Sequence, residues 1–114
     1  MKNRNQIEEE VKNEIAKIKP YVKDLVSATK RFDESANVVT GARRYDAKDR
    51  LFKTIASIAQ VISYNWFNEY NETITKDEME EIFKEAFDSV TFDEPAEYEC
   101  YRNIMDTSMI GGSL

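Results

Sequence analysis

The stretch LFKTIASIAQVISYNWFNEY, from Leu51 to Tyr70, decides how this chain is expected to fold. Its apolar residues occupy almost every face of a helix instead of one stripe, which is typical of a helix buried by neighbours on several sides. The last two turns are aromatic, and Tyr and Trp side chains need polar partners at their tips, so this end should reach the surface or an interface. The sequence therefore predicts a long central buried helix over about residues 47–71.

The residues before this helix predict a loop. The segment ESANVVTGARRY, residues 34–45, follows neither a helical nor a strand period and contains Ser, Asn and Gly. Asp46 is a favourable N-cap for the helix that follows. We therefore expect residues 35–45 to form a loop that crosses one end of the fold, with Val38 and Val39 anchoring it to the core.

Two helical segments precede this loop. Asn5 and Glu8 have the spacing of a capping box, and apolar residues then recur at helical spacing. Pro20 disfavours helical backbone in the residue before it but suits a first helical turn, so it marks either a bend or a new helix start. The second segment extends from there to about Asp33.

Two further helices follow the central one. Thr75 and Glu78 form a capping box at the start of the fourth, and Pro95 suits the first turn of the fifth. The sequence therefore predicts an all-α fold, a compact bundle of about five helices. We expect a single domain over residues 1–114, with a flexible C-terminal tail over about residues 108–114.

The composition agrees with a helical domain. The 114 residues are 41% hydrophobic and include only 3 Gly and 2 Pro, which argues against a β-sandwich or a long disordered linker. No basic segment followed by an apolar one opens the sequence, and no apolar run approaches the roughly 18 residues that a membrane span needs. The single Cys100 cannot form an intramolecular disulfide. We expect a cytoplasmic protein that does not enter a membrane.

The acidic net charge conceals an asymmetry between the two halves of the chain. Residues 1–53 contain 13 Lys and Arg and 9 Asp and Glu, whereas residues 54–114 contain 3 and 13, so +4 and −10 add to −6. Such asymmetry reflects an interaction surface, head-to-tail self-association or pairing of the halves within one chain. Because the pI is about 4.8, direct nucleic-acid binding is not expected.

The side chains offer little for catalysis or metal binding. The chain has no His, the commonest general acid or base. Glu78, Glu81 and Glu85 share one side of a helix, but di-iron bundles also require His and EF-hands require a ligand loop that this sequence lacks. Cys100 has acidic neighbours, which disfavour a reactive thiolate. We therefore expect no enzyme activity, no cofactor and no bound metal.

A basic cluster lies around the predicted start of the central helix and consists of Arg43, Arg44, Lys48 and Arg50, with Lys30 and Arg31 as further candidates. A glycine-bearing loop with two guanidinium groups beside a helix N-terminus could hold a phosphate. Only one glycine is present, however, and Asp46 as N-cap would already satisfy the free backbone N–H groups. The cluster predicts either a site for an anionic ligand or a partner, or a solvated surface.

The acidic second half predicts another surface. Its exposed acidic face consists of Glu80, Glu81, Glu85 and Asp88, which would steer a basic protein partner. Three aromatic residues near the end of the central helix are candidates for an interface, including that of a homodimer: Trp66, Phe67 and Tyr70.

These features favour a small acidic, non-enzymatic protein-binding module, either an inhibitor or an adaptor. A phage or mobile-element protein that blocks a host defence factor would fit the same description. The alternative is a protein that binds or sequesters a small anionic ligand, such as a nucleotide signal, through Arg43 and Arg44.

Overall fold

The computed structural model describes residues 2–107, and these residues form helices and turns with no strand among them. The all-α class predicted from the sequence is therefore confirmed. The predicted flexible tail over about residues 108–114 lies outside the described residues. The elements in chain order are α1 (Arg4–Ala16), α2 (Lys19–Glu34), α3 (Val38–Asn68), a 3-10 turn (Tyr70–Glu72), α4 (Lys76–Ser89) and α5 (Pro95–Thr107).

Helices α1 and α2 form one bent rod. Lys17 and Ile18, which separate them, keep right-handed helical backbone angles. The regular hydrogen bonding is interrupted here because Pro20 has no N–H to donate and its ring crowds the preceding turn. The bend thus lies where Pro20 predicts it. With α1 and α2 joined in this way, the described residues form four helical bodies and not the five separate helices expected from the sequence.

The start of α1 differs slightly from the prediction. The capping box uses Asn3 and Gln6 instead of Asn5 and Glu8, and the helix begins at Arg4. Both pairs have the same three-residue spacing, and the earlier pair places the buried residues Ile7, Val11 and Ile15 on one face.

Helix α3 begins at Val38, so the predicted loop over residues 35–45 is wrong. Asn37 is the N-cap and forms a capping box with Thr40, and only residues 35–37 connect α2 to α3. Asp46 lies inside the helix and does not cap it. Val38 and Val39 are exposed and do not anchor anything to the core.

The bent rod of α1 and α2 is the central element of the bundle. Helix α3 packs along one side of it, while α4 packs on α1 and α5 packs on α2. The bundle is elongated, with extents of 52 × 23 × 20 Å, because the rod and the 31-residue α3 lie lengthwise against each other. The core joins side chains from all of these helices, among them Val11, Val22, Leu51, Met79 and Tyr101.

The expectation that α3 is buried on several sides is wrong. Only one stripe of this helix is buried, and it consists of Ala47, Leu51, Ile55, Ile58 and Ile62. Ala59 and Trp66 are partly buried beside this stripe, whereas Val38, Val39, Tyr45, Phe52, Val61, Tyr64 and Phe67 are exposed. The predicted span of about residues 47–71 is corrected to Val38–Asn68, with Tyr70 in the 3-10 turn that follows.

The predictions for the last two helices are confirmed at their starts. Thr75 caps α4 in a capping box with Glu78, and Pro95 is the first residue of α5. Tyr101 of α5 stacks on Phe87 of α4 at 4.4 Å between ring centres, and its hydroxyl donates a hydrogen bond of 2.8 Å to the Phe87 carbonyl. This contact fixes α5 against the end of α4.

Candidate functional site

An exposed apolar stripe runs along α3 beside its buried one. We call it the outer stripe and define it as Val38, Tyr45, Phe52 and Phe67, which are 88%, 72%, 43% and 73% exposed. Phe52 directly follows the buried Leu51, so it lies about 100° around the helix from the core. Val38, Tyr45 and Phe52 are seven residues apart, close to two full turns. The helix therefore presents a row of exposed apolar side chains, which the Asp49–Lys53 ion pair interrupts between Tyr45 and Phe52.

The predicted basic cluster is divided between two flanks of α3. Arg44 and Lys48 lie between the core and the outer stripe: the Arg44 guanidinium is 5.3 Å from the Phe32 ring centre and the Lys48 ammonium 6.0 Å from that of Phe52. Arg43 and Arg50 lie on the other flank, next to α2. The cluster is therefore not one site, because the segment is a helix and not a loop.

Arg43 and Arg50 border a groove between α2 and α3, with a volume of about 380 Å³. We call it the arginine groove. Its lining residues are Asp24, Ser27, Ala28 and Arg31 from α2, and Thr40, Arg43, Ala47 and Arg50 from α3. Within residues 2–107, no carboxylate forms an ion pair with any of these three arginines.

The N-terminus of α3 is not itself an anion site. The Asn37 side chain accepts a hydrogen bond of 3.0 Å from the Thr40 amide, and the Thr40 hydroxyl accepts one of 3.0 Å from the Asn37 amide. These bonds satisfy amides that a phosphate would otherwise use. The start of the helix is therefore already capped, although by Asn37 and not by Asp46.

Part of the charge asymmetry is neutralised within the chain. Arg4 of α1 pairs with Glu78 at 2.8 Å and with Glu81 at 3.6 Å, and Lys23 of α2 pairs with Asp93 at 2.6 Å. These pairs join the basic first half to the acidic second half. Arg4 and Lys23 are engaged in this way, whereas Arg31, Arg43, Arg44, Lys48 and Arg50 form no ion pair with a described carboxylate.

The predicted acidic face on α4 is exposed but partly paired. Arg4 reaches Glu81, and Arg102 of α5 lies 3.2 Å from Asp88. Glu80 and Glu85 are exposed, and the ion pairs described within residues 2–107 include neither of them. The face therefore carries less free charge than its sequence suggests.

Of the three predicted interface aromatics, Tyr70 is not available for a partner. It is 1% exposed, and its hydroxyl donates a hydrogen bond of 2.7 Å to Glu10. Burial raises the pKa of the Tyr70 hydroxyl well above its usual value, so it stays protonated as a donor. Trp66 packs partly against the core, and Phe67 remains exposed as part of the outer stripe.

No metal-binding group of three His, Cys, Asp or Glu side chains occurs among the described residues. Two of the carboxylates considered from the sequence, Glu78 and Glu81, lie against Arg4. Cys100 is half-buried, and burial raises the pKa of its thiol. A protonated thiol is a poor nucleophile.

Sequence reasoning did not establish the outer stripe, and it named Arg31 only as a possible member of the basic cluster, without placing it in a groove. Both depend on the helix extending back to Val38, and the signal for this was the pair Asn37 and Thr40, whose three-residue spacing is that of an N-cap and its N3 residue.

The chain matches no family model, and no curated protein or solved structure shows significant similarity to it. In the part of the chain that the structure describes, none of the helices combines the length and the apolar character needed to cross a bilayer.

Proposed function

We propose that this chain is a non-enzymatic protein-binding module, an inhibitor or an adaptor, and that the outer stripe of α3 contacts its partner. The observation that carries this proposal is the exposure of Val38, Tyr45, Phe52 and Phe67 in one row on a helix whose opposite flank is buried. Exposed large apolar side chains grouped along one face of a helix are candidates for interaction sites on soluble proteins.

The composition of the outer stripe supports an interface. Tyr and Phe are enriched in the buried centres of protein–protein interfaces, where they supply large contact areas at low conformational cost. Ala56, one turn after Phe52, is exposed and small, so a partner helix could approach the α3 backbone there. A partner that lays the apolar face of its own helix along the row would make contacts every three or four residues.

Charge favours an acidic partner for this surface. Arg44 and Lys48 border the outer stripe, and neither forms an ion pair with a carboxylate of the described residues. A partner helix with carboxylates beside its apolar face would pair with both cations and so gain in association rate and specificity. A basic partner on Glu80, Glu81, Glu85 and Asp88 stays a prediction, as does the blocking of a host factor by a phage protein.

A site-specific crosslink tests the proposal. A photoreactive phenylalanine analogue would replace Phe67, and the chain would be irradiated in the cells that naturally contain it. The control carries the same analogue at Val61, which lies nine residues after Phe52 and therefore about half a turn away from it. We expect a crosslinked heterologous protein from position 67 and none from position 61.

The affinity of the identified partner then provides the decisive measurement. We expect the double variant Phe52→Ser, Phe67→Ser to weaken binding by at least about tenfold, a typical loss for truncated aromatic anchors. The control Val39→Ser, Val61→Ser removes two exposed valines of another face and should change the affinity by less than about twofold. Equal losses in both, or a crosslink to a second copy of the chain, would contradict the proposal.

A further inference from the structure

The arginine groove has the construction of a ligand site. Two small residues, Ala28 of α2 and Ala47 of α3, lie between longer side chains on either side. Because only residues 35–37 separate the two helices, α2 and α3 run antiparallel, so Arg31 lies towards the same end as Arg43, and Asp24 lies towards Arg50. The result is a cleft with arginine at both ends. Arg31 and Arg43 lie at one end, and Arg50 lies with the carboxylate of Asp24 at the other.

The three arginines of this groove are exposed, and their charges are not neutralised by a carboxylate in the way that some other cations are. Lys2, Arg4 and Lys23 each pair with a carboxylate within 3.1 Å. No carboxylate of the described residues pairs with Arg31, Arg43 or Arg50, although Asp24 lines the same groove. Three guanidinium groups and one carboxylate give the groove a net charge of about +2 at neutral pH. An unneutralised charge of this size favours a dianion.

A phosphate monoester has the matching charge, about −1.5 to −2 at pH 7. Guanidinium groups bind phosphate through pairs of parallel hydrogen bonds, and Arg31 with Arg43 can supply two such pairs at one end. Arg43 and Arg50 are seven residues apart, a rise of about 10 Å along α3, which exceeds the size of a single phosphate. The ligand must therefore have a second part that extends toward Asp24 and Arg50.

Asp24 indicates the chemistry of that second part. A carboxylate only accepts hydrogen bonds, so it would favour hydroxyl or amino groups over a second anion. The volume of about 380 Å³ lies in the range of small-molecule sites. We infer that the arginine groove binds a small hydroxylated phosphate monoester, of the class of a sugar phosphate or nucleoside monophosphate, with its phosphate at Arg31 and Arg43.

This inference does not depend on the proposed function. The groove and the outer stripe lie on opposite flanks of the buried stripe of α3, since Arg50 and Phe52 are two residues apart and so about 200° apart around the helix. Loss of binding at one surface should leave binding at the other unchanged. Failure of one experiment would therefore not imply failure of the other.

The test is a titration of the full chain, followed by ¹H–¹⁵N spectra, with the four common ribonucleoside monophosphates and ribose 5-phosphate. Adenosine and inorganic phosphate serve as ligand controls. We expect at least one monoester to bind at least about tenfold more tightly than either control, with shifts in the Arg43 and Arg50 side-chain signals and the Thr40 amide.

Two double variants assign the binding to the groove. The double variant Arg31→Gln, Arg43→Gln should weaken the binding of the monoester by at least about tenfold. Arg44→Gln, Lys48→Gln removes the same charge from the other flank of α3 and should change binding by less than about twofold. Both variants should melt within a few degrees of the parent, since neither pair forms an ion pair with a described carboxylate.

Several results would overturn the inference. One is that no monoester binds. Another is that inorganic phosphate and the monoesters bind equally tightly, and a third is that the two double variants lose the same affinity for the monoester. The last would show general attraction of anions to a basic surface. A phosphoserine peptide that binds when no free monoester does would also overturn it, because the phosphate would then come from a protein.

Discussion

Asn37 and Thr40 cap the first turn of α3 reciprocally, through two hydrogen bonds of 3.0 Å between the side chain of each and the backbone amide of the other. The Thr40 hydroxyl also donates a bond of 2.8 Å to the Ser35 carbonyl, which ties the end of α2 to the start of α3. Both candidate sites depend on this cap, because Val38, Arg43 and Tyr45 occupy fixed faces only if these residues are helical.

Removal of this cap should destabilise the protein. We expect Asn37→Ala to lower the free energy of unfolding by about 1 kcal/mol, the usual cost of losing an N-cap side chain. The variant Asn37→Asp should retain most of the stability, because the introduced carboxylate can also accept a hydrogen bond from the Thr40 amide. Urea denaturation monitored by circular dichroism measures each value.

Asp46→Ala is the matched control for this prediction. Asp46 lies in the interior of α3 and is exposed, and Ala has the higher helix propensity, so the change should be neutral or slightly stabilising. A large loss in Asp46→Ala together with no loss in Asn37→Ala would mean that the helix starts at Asp46, as the sequence had suggested.

Gly41→Ala should stabilise the protein. Gly41 lies in the first turns of α3, and a β-carbon there would sit 3.5 Å from Cε2 of Phe32, which is ordinary van der Waals contact. Alanine in place of glycine in a helix gains about 0.5–1 kcal/mol, mainly because the unfolded chain has less freedom to lose. We expect the melting temperature to rise by a few degrees.

A loss of stability in Gly41→Ala would argue for a different backbone at this residue. An alanine is strained where a turn requires a positive φ, and the same substitution would then destabilise. Ala42→Gly, at the exposed neighbouring position, is the reverse change and should destabilise by a similar amount.

The contact between Glu10 and Tyr70 should make stability depend on pH. Hydrogen bonds from Lys2, at 2.6 Å, and from the Tyr70 hydroxyl hold the pKa of Glu10 below its usual value of 4.5. Because the folded pKa is the lower one, this stabilisation is present above the unfolded pKa and is lost as the pH falls through the folded value. Denaturation at about pH 7 and about pH 3 measures the difference.

Glu10→Gln should show a smaller fall in stability between these pH values than the parent chain. Glu9→Gln removes the same charge from an exposed residue of α1 and serves as its control. If both variants keep the full pH dependence of the parent, the contact does not contribute to it.

The sequence predicted those elements whose signals are local. Thr75 with Glu78 fixed the start of α4, and Pro20 fixed the bend between α1 and α2, because caps and proline act on neighbouring backbone groups. The start of α3 was missed because its first two turns are largely exposed and so show no apolar period. Asp46, a good cap by composition, was the competing signal.

The candidate surfaces required the tertiary structure. Periodicity shows which residues of α3 are apolar but not which of them a neighbour covers, so Phe52 was assigned to a helix buried on several sides, although it is exposed. The cations Arg43, Arg44, Lys48 and Arg50 were recognised as a cluster. Their division between two flanks follows only once the segment is known to be a helix, and the contribution of Arg31 only once α2 is placed beside α3.

The three-residue connection between α2 and α3 also has a consequence for the order of folding. These helices meet through residues close in sequence, whereas α1 and α4 meet through pairs such as Arg4 and Glu78, 74 residues apart. Local contacts cost less chain entropy and form sooner. We therefore expect the α2–α3 hairpin to assemble first, so that the outer stripe and the arginine groove exist before the termini of the bundle close.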